Sequence, residues 1–166
     1  NWRVSKKNGY VIIEGKRANR TIRIYANKPA KEYEVLAANV ANMNTAIGKQ
    51  SISMLVHRGH SYHADKSIPS ITESSKLVFL GSCGGYNNVG AVLDKSESAH
   101  IISTRGTGMK AINDPLIFAI NQQILAGKPF EWSPMWSQHA ERYKNSPIKK
   151  DWEEYVAPHE NYALMY

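Results

Sequence analysis

One cysteine, Cys83, is all the chain contains, so no intramolecular disulfide can form and no cluster of thiolates is present for a zinc or iron–sulfur site. Redox compartment is left open by that count. No apolar run approaches the roughly 20 residues that cross a bilayer, so no membrane span is expected. Repeats and low-complexity tracts are missing too, which turns attention to periodicity and punctuation. The sequence starts at Asn1 without Met, and no charged-then-apolar signal precedes the first strand-like segment. It reads as a domain excised from a longer protein, with an upstream domain of the same polypeptide as its expected neighbour.

What is present is ordinary in amount and uneven in place. Hydrophobic residues at 42% and charged ones at 21% match globular averages and exclude disorder as the main state. A length of 166 residues suits one domain, 1–166, with a buried core. The net charge of +7 raises the question of a polyanion, but residues 1–50 hold ten basic and three acidic side chains, whereas residues 51–166 hold eleven of each. The excess belongs to the first third alone, and no nucleic-acid partner is expected.

Tyr10–Glu14 and Thr21–Tyr25 read as a hairpin joined by a basic turn, Gly15–Arg20. After Pro29, the stretch Ala30–Ile47 spaces Val35, Leu36, Ala38, Val40 and Met43 as an amphipathic helix ended by Gly48. Ile52–Val56 and Leu77–Leu80 are short apolar runs that read as buried parallel strands, and His100–Thr104 gives a third strand. Asp114–Leu125 reads as a helix that opens with Pro115 behind an Asn113 or Asp114 cap. The aromatic-rich remainder, 128–166, is expected to wrap the sheet. This alternation predicts an α/β fold, a three-layer sandwich around a mainly parallel sheet, with reactive groups at the carboxyl ends of the strands.

Two loops then carry the chemistry. Cys83 lies in Gly81-Ser82-Cys83-Gly84-Gly85, directly after an apolar strand. Glycines at that density allow close approach of backbone and could aim the amides of Cys83 and Gly84 at a developing oxyanion. The other loop, His57-Arg58-Gly59-His60-Ser61-Tyr62-His63, holds three of the six histidines. Histidine is the usual base for a thiol, because its pKa lies near neutrality and an imidazolium favours thiolate. The same three histidines are candidate ligands for a metal hydrolase, but Asp65 is the nearest acidic residue and no His-Glu-x-x-His pattern occurs. No metal and no other cofactor is therefore assigned.

The order and spacing of these pieces resemble the caspase-fold cysteine peptidases, the gingipain-like branch above all. The matching segments are Ile52–Val56 with Gly59-His60, Leu77–Leu80 with Gly81-Ser82-Cys83-Gly84, and Ala99–Thr104 with Gly106 after it. The resemblance extends to bacterial proteins of the Bacteroidetes group. It leaves the compartment open, an extracytoplasmic one included. It implies a caspase-like fold, Cys83 as nucleophile, His60 as the catalytic histidine, and an oxyanion hole from main-chain amides at Gly59 and at Cys83 or Gly84. Ser61 follows His60 where that family has glycine, and His57 stands as the alternative base. The implied reaction is peptide-bond hydrolysis of a peptide or protein through an acyl-thioester, the alternative being an inactive caspase-like binding or regulatory domain. Arg58 and Arg105 are candidates for a pocket that accepts an acidic residue. Asp114 and Glu131 would instead favour a basic one.

Overall fold

The structure is a computed structural model that describes residues 2–161. Two sheets and seven helices among these residues make a mixed α/β chain. Length suggested one domain, and the chain groups into two compact units: residues up to Gln50 with Ala119–Phe130, and Ser51–Phe118 with the residues from Glu131 onward.

In the first unit, β1 (Trp2–Lys6), β2 (Tyr10–Arg17) and β3 (Arg20–Asn27) form an antiparallel sheet in that order. The expected turn over Gly15–Arg20 shrinks to Ala18-Asn19, because Gly15 continues the strand. Its register partner is Trp2, whose indole occupies the space a Cβ on Gly15 would need. Here glycine is a seat for an aromatic ring and not a strand end. The helix α1 (Tyr33–Ile47) stops at Gly48, which takes the left-handed φ of 58°. Its half-buried positions are Leu36, Asn39, Val40, Met43, Ala46 and Ile47, a stripe at helical spacing, while Val35 and Ala38 face out. None of its residues is fully buried.

The second unit is built on β4 (Met54–His57), β5 (Leu77–Leu80), β6 (His100–Thr104) and β7 (Tyr155–Val156), in sheet order β4-β5-β6-β7. The first three are parallel, as the apolar runs predicted, and β7 joins β6 antiparallel. All four residues of β5 are buried, so the strand is covered on both faces, which is why it reads as an unbroken apolar run. Val78, Leu80 and Ile101 pack with Ala64, Ile68, Val89 and Val92 from the short helices α2 (Ala64–Ser67) and α3 (Val89–Leu93) and the turn after α2. Phe79 and Ile102, the alternate residues, are equally inaccessible.

The helix α4 (Lys110–Ala126) begins a turn earlier than expected and carries Pro115 in its interior. Proline has no N–H for the carbonyl four residues back. That carbonyl, on Ala111, is taken by the Tyr143 hydroxyl at 2.9 Å, so the gap in the helix is filled from outside. The tail read as cover supplies α5 (Trp132–Tyr143), α6 (Lys149–Glu153), β7 and α7 (Pro158–Asn161). Tyr162 and Tyr166, counted with that tail, lie outside the described residues. No helix among the described residues is long and apolar enough to cross a membrane.

Candidate functional site

The register of the parallel strands decides where the reactive loops emerge. His57 ends β4 level with Leu80, the end of β5, and the Gly81 amide donates to the His57 carbonyl at 2.8 Å. Ser103 of β6 stands opposite Leu80. The His57–His63 loop, the Cys83 loop and the loop after Thr104 therefore leave one edge of one sheet, the carboxyl edge, where parallel sheets gather their chemistry.

Cys83 is exposed, and the residues around it are not. Ser82 and Gly81 are buried, and Gly84 holds the left-handed conformation that turns the chain into Gly85–Asn88. The glycines are explained by steric need. A Cβ on Gly81 would overlap the Phe79 ring and the Asn113 side chain, one on Gly85 the Leu80 carbonyl, and one on Gly108 the Gly81 carbonyl. This close packing also corrects one expectation. The Gly84 amide donates to the Gly106 carbonyl at 2.9 Å and is not free for an oxyanion. Among the described residues, the amides of Cys83 and Gly59 make no hydrogen bond, so these two remain the candidates. The buried hydroxyls of Ser82, Ser103 and Thr104 also lack a partner among the described residues, at the same edge.

The two candidate imidazoles are in opposite situations. His57 is buried, its Nε2 lies 3.1 Å from the His60 carbonyl, and its Nδ1 lies 2.9 Å from Ser67 Oγ. A carbonyl only accepts, so Nε2 carries the proton and Nδ1 accepts from the Ser67 hydroxyl. Burial pushes the His57 pKa down, partly offset by the bond to the His60 carbonyl. With Nε2 on the His60 carbonyl and its lone pair taken by Ser67, His57 clamps the turn and, as placed here, has no lone pair left for Cys83. The His60 carbonyl it holds also accepts from the His63 amide at 3.0 Å, which pins the turn. The His60 ring is exposed and stacked on Tyr62, with centroids 5.1 Å apart and planes 9° from parallel. Among the described residues, no hydrogen bond joins His60 to Cys83.

The arginines expected to shape a pocket are both engaged. Arg58 pairs with Asp114, which also binds Lys110 one helical turn away. Burial raises the Asp114 pKa, but Lys110 and Arg58 outweigh it and hold the carboxyl below its usual range. The candidate for an acidic preference and one candidate for a basic preference thus neutralise each other. Arg105 lies over the Tyr86 ring, 4.9 Å from its centroid. No group of three His, Cys, Asp or Glu among the described residues could hold a metal ion, and both His57 nitrogens are already bonded.

Sequence reading missed the groups behind the loops. Ser67 holds His57, and Asn113 donates from Nδ2 to the Gly81 carbonyl at 2.8 Å. From sequence, Asn113 is one of two alternative helix caps, with Asp114, and Tyr155 is one aromatic of the remainder 128–166. A signal existed: Asn113 sits beside Ile112 and Leu116 on a buried helix face, and a buried amide needs partners. Comparison of the chain with protein-family models, with curated proteins and with solved structures gives no match.

Proposed function

We propose that this chain carries a caspase-like cysteine peptidase domain, a three-layer sandwich in the unit that begins at Ser51, acting on a peptide or protein. In this reading His60 takes the proton of the Cys83 thiol, and the thiolate attacks the scissile carbonyl carbon. The C–N bond breaks as the imidazolium returns the proton to the leaving amine. Water, deprotonated by the same imidazole, then cleaves the acyl-thioester. The free amides of Cys83 and Gly59 are the donors for the oxyanion. The observation that carries the reading is the parallel register of β4 and β5, with the Gly81 amide on the His57 carbonyl, which brings the histidine loop and the exposed Cys83 to one sheet edge. The basic residues 1–50 would meet an acidic upstream segment or partner surface.

A diverse peptide library, offered to the wild type and to Cys83→Ala and His60→Ala, tests this. Cleavage by the wild type should vanish in Cys83→Ala and fall by about 10²-fold or more in His60→Ala. No cleavage by the wild type, or equal cleavage by Cys83→Ala, would sink it. The second reading, a binding or regulatory domain of the same fold, is favoured by the lack of a His60–Cys83 hydrogen bond among the described residues. It expects an intact fold and no cleavage by any variant.

A further inference from the structure

We propose that Asn113 and Tyr155 are positioning residues for Cys83, a buried relay that grips the Gly81 carbonyl and so fixes the loop presenting the thiol. The inference rests on the peptidase reading for its consequence and on hydrogen bonds alone for its geometry. The Met109 amide donates to the Tyr155 hydroxyl oxygen at 2.8 Å, and that hydroxyl donates to Asn113 Oδ1 at 2.8 Å. Asn113 Nδ2 then donates to the Gly81 carbonyl at 2.8 Å. The directions follow from the Gly81 carbonyl, which can only accept and so faces Nδ2, leaving Oδ1 to accept from the Tyr155 hydroxyl; that hydroxyl also lies 3.4 Å from the Met109 carbonyl, a longer contact.

Both side chains of the relay are buried, Asn113 at 2% exposure and Tyr155 at 3%, and the Met109 end is half-buried. Aligned bonds in a low-dielectric interior reinforce one another, and an unpaired member there is costly. Burial pushes the Tyr155 pKa up to about 12, so its hydroxyl remains a donor through the neutral range. A Cys83 charge is among the influences that raise it. From Gly81 the constraint passes to the thiol through two peptide units, both in a loop already confined by Gly108 and by the Gly84 to Gly106 bond. The same protein holds a matched control. The Tyr143 hydroxyl, on a residue also buried, bonds the Ala111 carbonyl two positions from Asn113 in α4, yet among the described residues has no bond to the cysteine loop.

The test compares Tyr155→Phe, Asn113→Asp and Tyr143→Phe in the full chain. It reads kcat and KM on the library peptide the wild type cleaves fastest, and hydrogen exchange of the Gly84 amide. Tyr155→Phe should lower kcat by about 30-fold with KM within about twofold, since small displacements of a reacting group cost that much. Its Gly84 amide should exchange about tenfold faster. Tyr143→Phe should lose stability but keep wild-type kcat and Gly84 protection. Asn113→Asp keeps the acceptor for Tyr155 but opposes a carboxylate to the Gly81 carbonyl. It should match Tyr155→Phe at pH 7 and regain Gly84 protection once its carboxyl is protonated, and it carries the test if Tyr155→Phe fails to fold. Parallel losses of kcat and protection in Tyr155→Phe and Tyr143→Phe would overturn the relay. If the wild type cleaves nothing, the peptidase reading fails separately, and the relay stands or falls on Gly84 exchange.

Discussion

The two compact units of this chain satisfy folding by different means. In the second, strands buried on both faces place Val78, Phe79, Leu80, Ile101 and Ile102 at 1% exposure or less. In the first, the buried residues among those described are two glycines, Gly9 and Gly15, with Ile120 and Leu125 from the end of α4. Apart from Gly15, its sheet and α1 are half-buried at best, and the basic excess lies in the sheet and in the segments flanking α1, which itself holds no Lys or Arg. The polar anchors follow the same division, because His57, Asn113 and Tyr155 all belong to the second unit. A buried polar group can fix backbone only where the surrounding core excludes water, so the candidate site belongs to the unit with the core.

The largest effect should come from the core itself. Ile102→Ala is expected to lower stability by about 3 kcal/mol, through lost burial and the cavity left behind. Met43→Ala, in the half-buried stripe of α1, should cost less than about 1 kcal/mol. Denaturant titration of both variants measures this, and similar losses would erase the contrast between the units.

The histidine loop offers a finer contrast within the second unit. His57→Ala removes the imidazole between Ser67 and the His60 carbonyl and should cost about 2 kcal/mol. His60→Ala, on an exposed ring, should stay within about 0.5 kcal/mol of the wild type while losing cleavage. If His60→Ala proved the less stable of the two, the assignment of clamp and base would be reversed.

The smallest effect is a dependence on pH. His57, His100 and His139 all have pKa values lowered by burial, with Arg142 adding to the effect at His139. A depressed folded-state pKa means that the unfolded chain binds protons first. The stability these groups supply is complete above the unfolded value of about 6.5 and is lost as pH falls through the folded values. The first unit has no histidine. Residue-resolved hydrogen exchange at pH 7 and pH 5.5 should show weakened protection in β4, β5 and β6 and little change in β2 and β3. Uniform weakening would show that the titration is not local to the buried histidines.

Much of the fold was legible because its signals are local. Leu77–Leu80 and His100–Thr104 match β5 and β6 residue for residue; β5, buried on both faces, is apolar throughout, whereas β6 flanks its two isoleucines with His100, Ser103 and Thr104. Gly48 ends α1 because only a residue without a Cβ takes that φ easily. Local rules failed where a distant group reversed them. Gly15 continued a strand under the Trp2 ring, and Pro115 stayed inside a helix because Tyr143 supplied the missing donor.

The sequence by itself determined five of the seven described strands, β2 to β6 but not β1 or β7, and the two loops rich in histidine and glycine that follow β4 and β5. The tertiary structure alone decided which groups in those loops are free. It engaged His57 and the Gly84 amide, left the His60 ring and the Cys83 amide without a hydrogen bond among the described residues, and paired Arg58 with Asp114. The physical reason is that apolar periodicity is written along the chain, whereas the partner of a hydrogen-bonding group is set by whichever element packs against it. Asn113 and Tyr155, 42 residues apart, meet only because α4 and β7 come together behind Gly81.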